Sequence, residues 1–307
     1  MRNHEDSKLY SNGTKNTDIL NLKQGFEELN YITDEGLVTS IYLLRKLGRP
    51  LLLEGNAGVG KTEVAKSLAS LLNVDLIRLQ CYEGLDINSS IYEWNYQKQL
   101  LAIKMQEGEN ISIEEKEKHI FSHDFILERP LLKSIQYSNS SPVLLIDEID
   151  RADEEFEALL LELLSDFQIS IPEMGTIKAK YRPLVILTSN RTRELSDALK
   201  RRCLYHWIDY PDMDKEIKIV NKKIPNLKLD LATQVVRFIQ LLRSIEFSKT
   251  PGVAETLDWA SALLVLDIDQ LDKYNVELTV GSILKSVEDI KKLKDEGIEN
   301  LIAKSIS

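Results

Sequence analysis

What the chain lacks narrows it first. Its 307 residues include only two cysteines, Cys81 and Cys203, too few for a disulfide framework and consistent with a reducing compartment. No run of about 18 apolar residues occurs, so no membrane span is expected. The stretch from Met1 to Thr17 is polar and has no apolar signal core, which argues against secretion and for a cytoplasmic protein. Basic residues are in deficit. The 39 Lys and Arg against 49 Asp and Glu give a formal charge of −10, a poor balance for general binding of nucleic acid or an anionic membrane. Histidines number only four. His119 and His123 stand four apart, a spacing that two metal ligands can share on a helix face, but no third ligand is evident nearby.

What is present is a chain long enough for about two domains, with 43% hydrophobic residues to supply their cores. The stretch from Pro50 to Thr62 dominates it. Pro50-Leu51-Leu52-Leu53 reads as a short apolar strand, and Gly55-Asn56-Ala57-Gly58-Val59-Gly60-Lys61-Thr62 fits G-x-x-x-x-G-K-[ST], the phosphate-binding P-loop. Glycines let the backbone turn with its N–H groups inward, and the helix that follows aims its positive dipole end at the same phosphates. Gly55 through Glu63 are therefore the expected nucleotide contacts. Lys61 would reach the β- and γ-phosphates, and the Thr62 hydroxyl would ligate Mg²⁺.

A second site signal lies downstream. Val143-Leu144-Leu145-Ile146 is an unbroken apolar run ending in Asp147-Glu148. Such a run suits a central parallel strand covered on both faces, and acids at its C-terminal end lie where ligands bind in open α/β sheets. Asp147 would hold Mg²⁺ through water and Glu148 would activate the attacking water. Leu184 to Asn190 is a further buried strand. Asn190 could bond the γ-phosphate or the lytic water, or simply make a turn. Arg201-Arg202 could be a solvated basic face or an arginine finger acting from outside the site. Tyr92-Glu93-Trp94-Asn95-Tyr96 concentrates three aromatics, read either as local packing or as a contact with a neighbouring subunit or a client.

The remaining pattern divides the chain. Residues 1–24 are read as a mobile polar extension, 25–210 as the nucleotide-binding core and 211–307 as a helical domain. Spacing predicts helices over Lys61–Leu72, Met213–Lys223, Leu229–Arg243, Ala254–Leu266 and Val280–Leu293, and a hairpin over 167–177 turning on Pro172 to Gly175.

In this order, the P-loop, Asp147-Glu148, Asn190, Arg201-Arg202 and a helical C-terminal lid resemble an AAA+ ATPase, whose fold is an α/β P-loop NTPase core, a parallel sheet between helices, followed by a small all-helical lid. Asp147-Glu148-Ile149-Asp150-Arg151-Ala152 resembles the Asp-Glu-Ile-Asn-Arg-Ala signature of the MoxR family. Leu79 to Asp86, continued by Tyr92 to Tyr96, is similar to its CoxD branch, which is associated with maturation of carbon monoxide dehydrogenase and related molybdenum hydroxylases. The resemblance implies ATP and Mg²⁺ as cofactors, Asn190 as sensor 1 and Arg202 as the trans-acting finger, with Arg201 as the neighbour that could take that role. It also implies a homo-oligomer, expected as a hexameric ring. Residues 89 to about 112 would carry the helix-2 insert and 167 to 180 the hairpin before sensor 1, both facing the central pore. A von Willebrand A-domain partner and a molybdenum hydroxylase client are the implied associates. One departure stands out: the family's sensor 2 arginine at the start of the third lid helix is replaced by Glu255. The leading reading is a metallocentre-assembly chaperone driven by ATP. The alternatives are a nucleic-acid-linked motor, which the acidic charge argues against, and a nucleotide-gated binding module, which Glu148 argues against.

Overall fold

The computed structural model describes residues 12–106 and 112–306. The chain opens with α1 (Asn12–Glu28) and α2 (Glu35–Leu47), then β1 (Leu51–Gly55), α3 (Lys61–Leu72) and β2 (Leu76–Gln80). A region of short elements follows: α4 (Ile87–Ser90), β3 (Tyr92–Trp94), α5 (Tyr96–Met105), α6 (Ile113–Ile120), β4 (Ile126–Glu128) and α7 (Pro130–Gln136). Next come β5 (Val143–Asp147), α8 (Glu154–Asp166), β6 (Gln168–Ile171), β7 (Gly175–Lys178), β8 (Leu184–Ser189), α9 (Asp197–Arg202) and β9 (Leu204–Ile208). Helices alone follow: α10 (Met213–Lys223), α11 (Leu229–Arg243), α12 (Val253–Val265), α13 (Lys273–Thr279), α14 (Val287–Glu296) and α15 (Ile298–Ile306).

Five strands form one parallel sheet in the order β2-β5-β8-β1-β9, flanked by helices as an α/β P-loop fold requires. Neighbours that are not consecutive need crossovers, and parallel pairing supplies them through helices. β1 and β5 are buried at every position, which explains the apolar runs Leu51–Leu53 and Val143–Ile146 within them. The register sets Gln80 beside Asp147 and Ile146 beside Leu187. The C-terminal ends of β2, β5 and β8 thus lie side by side.

Contacts among the described residues group the chain into two units. One takes 36–54 and 65–206, the other 12–35, 55–64 and 207–306. In the sheet unit, Leu144, Ile146, Val185 and Leu187 pack with Leu131 and Leu132 of α7 and with Phe156, Leu160 and Leu163 of α8. Each such buried side chain contributes roughly 1.5–3 kcal/mol. In the other unit, Val235, Phe238 and Ile239 of α11 surround Trp259 of α12, with Leu293, Leu301 and Ile302 behind them. The Trp259 indole donates to Thr279 Oγ1 at 2.8 Å.

Several expected elements take different bounds. Residues 12–24 of the polar N-terminal stretch lie in α1, and residues 1–11 are outside the described residues. Composition reports apolar content, and a polar segment can still be helical when part of it packs, as Leu22 and Phe26 do. The helix expected over Val280–Leu293 is two elements: Val280–Ser282 is a 3₁₀ turn, and α14 starts at Val287, where Ser286 accepts from Asp289 N as N-cap. The cap outcompetes a continuous helix. The hairpin forms as β6–β7, pairing Gln168 with Lys178 and Ile171 with Gly175.

Candidate functional site

In the unit that holds the P-loop, the loop joins the end of β1 to the start of α3. Gly58 and Gly60 have φ of +76° and +92°, conformations that side chains resist. Lys61 is buried and folds back over the loop, its Nζ donating to Gly55 O and Asn56 O, each at 2.7 Å. Tyr31 OH donates to Gly60 O at 3.5 Å, and burial, then the charges of Asp34 and Glu63, push this phenol up, keeping it a donor. The start of α12 lies against the same loop. Ala254 N donates to Gly58 O at 3.2 Å. A Cβ on Gly252 would stand 2.7 Å from Ala57 O and 3.0 Å from Gly58 Cα, so this approach requires glycine. Glu255 is the third residue of α12 and closes a capping box: its Oε2 accepts from Gly252 N at 2.9 Å. The same oxygen would lie 3.1 Å from a Cβ placed on Gly58.

In the sheet unit, the two acids are held by partners that local sequence does not announce. Asp147 is 2% exposed. Its Oδ1 accepts from Thr188 Oγ1 at 2.6 Å, and its Oδ2 from Arg78 Nη2 and Nε at 2.6 and 3.1 Å. Glu148 has φ +56°, ψ +50°, left-handed backbone that costs a non-glycine residue about 1–2 kcal/mol. Its N–H donates to Thr188 Oγ1 at 2.9 Å, which holds the turn. Its carboxylate accepts from Gln80 Nε2 at 3.1 Å and pairs with Arg151 Nε at 2.9 Å. Burial pushes the Cys81 thiol up to about 12, and the charges of Asp147, Asp150 and Glu148 push the same way.

Asn190 follows β8 and is half-buried, with no hydrogen-bond partner for its side chain among the described residues. The loop after it is pinned: Asp150 Oδ2 accepts from Thr192 N at 2.9 Å and Thr192 Oγ1 at 2.7 Å. Arg202 Nε donates to Ser165 Oγ at 2.6 Å and Nη1 to Ala198 O at 3.0 Å, whereas Arg201 is exposed. The end of α9 that carries both is tied to the N-terminal side of β1 by Arg49, which donates to Arg201 O at 2.9 Å, Cys203 O at 3.2 Å and Arg202 O at 3.4 Å. Glu54, at the end of β1, accepts from Tyr205 OH at 3.1 Å.

The aromatic run divides. Trp94 is buried and meets Phe121 edge-on at 5.3 Å, while Tyr96 is 65% exposed at the start of α5. α5 also exposes Leu100, Leu101 and Met105. Residues 107–111 of the expected insert lie outside the described residues. His119 packs edge-on to Phe125, and His123 Nε2 lies 2.8 Å from Gln136 Oε1. No helix among the described residues is long and apolar enough to cross a membrane.

Arg78, Thr188 and Arg49 carry no sequence signal that singles them out, and Asp150 enters only through the signature that contains it. Alternating burial along β2 marks Arg78 and Gln80 as sharing a face, but not what that face meets. The loop with its backbone opened by two left-handed glycines, the buried Lys61 and the buried Asp147 each fit, in donor chemistry, a Mg²⁺-bound nucleoside triphosphate.

Residues 50–203, half of the chain, match the model of the AAA domain (dynein-related subfamily). Similar over most of the length is an uncharacterized protein of Staphylococcus haemolyticus, 28% identical over 89% of this chain and 95% of its own. An uncharacterized protein of Staphylococcus epidermidis is 26% identical over the same shares. Among solved structures, the Thermotoga maritima RuvB Holliday junction branch migration motor aligns with a TM-score of 0.43 at 15% identity, covering 88% of this chain and 69% of that one. A point mutant of the same Thermotoga maritima RuvB aligns with a TM-score of 0.47 at 17% identity, covering 86% and 69%.

Proposed function

The chain belongs to the dynein-related subfamily of AAA domains, and from that premise we propose an ATPase that remodels a client protein. That it is a P-loop ATPase follows from the family. The finer reading concerns what hydrolysis drives. ATP and Mg²⁺ are its cofactors: Gly55 to Glu63 hold the phosphates, Thr62 and Asp147 hold Mg²⁺, and the bound ion neutralises developing phosphate charge. Glu148 orients the attacking water and takes its proton. Asn190 contacts the γ-phosphate or that water. Arg202, with Arg201 beside it, completes the site of a neighbouring subunit in a homo-oligomeric ring of six. The core over 25–210 and the lid over 211–307 are the two working parts.

The observation that carries client engagement is the set of exposed apolar side chains on α5. Tyr96, Leu100, Leu101 and Met105 are 59–72% exposed, a concentration that a protein surface rarely leaves without a role. It begins at Tyr96, where the stretch similar to the CoxD branch ends. That similarity supports a client from the molybdenum hydroxylases and a von Willebrand A-domain partner, in the cytoplasm.

The test is Glu148→Gln. Turnover should fall about 10²–10⁴-fold while ATP stays bound, and the stalled protein should retain a molybdenum hydroxylase subunit or the A-domain partner in an affinity capture. Wild-type turnover by this variant removes the general-base role. DNA-stimulated hydrolysis with steep salt dependence would replace the chaperone reading with a nucleic-acid motor.

A further inference from the structure

β2 presents two residues to the acids of β5. In the parallel register Arg78 stands opposite Leu145 and Gln80 opposite Asp147. Being two apart they share one face, while Ile77 and Leu79 point into the core. Arg78 reaches forward along that face. Its Nε and Nη2 both bond Asp147 Oδ2, and Nη2 also donates to Gln80 Oε1 at 2.5 Å. This last contact commits the amide oxygen of Gln80, so its NH₂ faces Glu148 Oε2, to which it donates at 3.1 Å. Thr188 closes the circuit from the other side, donating to Asp147 Oδ1 and accepting from Glu148 N.

We propose that Arg78 is a positioning residue that serves as the resident counter-charge of Asp147, competes with Mg²⁺ for it, and through Gln80 sets the orientation of Glu148. The inference rests on the reading of Asp147 as the Mg²⁺-holding acid and Glu148 as the base. The charges are unequally placed: the Asp147 side chain is 3% exposed and that of Arg78 is 48%. A carboxylate so buried needs a cation near it. Arg78, reaching in from solvent, can yield that place at modest cost because its own charge remains hydrated. A guanidinium is suited to the task because its planar fork meets the carboxylate and the amide together, which the point charge of a lysine cannot do.

The experiment measures binding of a fluorescent ATP analogue across a Mg²⁺ titration, alongside steady-state turnover and thermal melting. Arg78→Met removes the competing cation, so half-saturating Mg²⁺ should fall about three- to tenfold, and turnover should fall as Gln80 and Glu148 lose their alignment. Arg78→Lys keeps the charge, so its Mg²⁺ midpoint should stay within about twofold of wild type while turnover drops about tenfold. Gln80→Leu should leave the Mg²⁺ midpoint unchanged and lower turnover. Asp147→Asn separates the two levels of the argument. If it leaves the Mg²⁺ dependence of binding unaltered, the reading of Asp147 fails. If Asp147→Asn shifts that dependence and a folded Arg78→Met does not, the role of Arg78 fails. Should Arg78→Met not fold, full turnover by Arg78→Lys would overturn the proposal by itself.

Discussion

At Glu255 one carboxylate caps a helix and stands against the P-loop. Its Oε2 bonds Gly252 N and lies close to Gly58, so an anionic group occupies the flank of a loop built for phosphates. The family resemblance implies an arginine here. The structure gives the position a different local task, because a third helical residue with a carboxylate satisfies an otherwise orphaned N–H. Glu255→Gln retains a capping acceptor and removes the charge. The Kd for ATP should therefore fall about two- to fivefold, the scale of one screened charge interaction, by isothermal titration calorimetry. An unchanged or weaker Kd would mean that the nucleotide does not feel this carboxylate. Glu148 makes a related point. Its left-handed backbone is strained, and the Thr188 hydroxyl that accepts its N–H also fixes Asp147, so one hydroxyl stabilises the geometry of both acids.

Elements in the helical C-terminal region are joined by a polar knot inside an apolar bundle. Glu216 of α10 is fully buried and pairs with Arg243 of α11 through two bonds of 2.7 Å. Thr256 of α12 donates to Glu216 Oε1 at 2.7 Å and Gln240 Nε2 to Oε2 at 2.7 Å. Arg243 also donates to Pro251 O at 2.9 Å and stacks over Tyr210 with 4.5 Å to the ring centroid. Removing one member of such a pair strands the other charge, at a cost of about 3–5 kcal/mol. Arg243→Met should lower Tm by about 10 °C or more in a domain of this size, read by calorimetry; a shift under about 2 °C would show that Glu216 is satisfied without it. The same elements show what pattern can and cannot reveal. Lys61–Leu72, Met213–Lys223 and Leu229–Arg243 form at the bounds their apolar spacing predicts. Helical spacing continues across Gly281 to Ser286, where the chain instead breaks and restarts, since spacing alone does not register a cap or a bend. α13 and α15 are further helices that the sequence reading does not include.

For the whole molecule, the decisive matter is whether Arg202 serves its own chain or another. Its guanidinium bonds Ser165 and Ala198 O, contacts it would exchange for phosphate at a subunit boundary, while Arg201 is already exposed. Lys61→Ala and Arg202→Ala should each lose nearly all turnover, the latter by about 10³–10⁵-fold. Mixed together they should regain a measurable fraction, because some interfaces then pair an intact P-loop with an intact arginine. A mixture no faster than the mean of its components would place Arg202 in cis or outside the site, and the same mixing with Arg201→Ala would identify its neighbour as the finger. Sequence by itself determined the features that are contiguous: the P-loop, the apolar strand ending in Asp147-Glu148, and helices announced by a cap and a stripe. These follow from short-range backbone chemistry and from periods of two or 3.6 residues. Tertiary structure alone decided which residues hold those features in place. Arg78 lies 69 residues from Asp147, Thr188 lies 40 from Glu148, and Arg49 lies 152 from Arg201. A parallel sheet brings such residues together through crossovers whose order leaves no local period in the chain, so the partners of Asp147 and Glu148 could be read only once β2, β5 and β8 stood side by side.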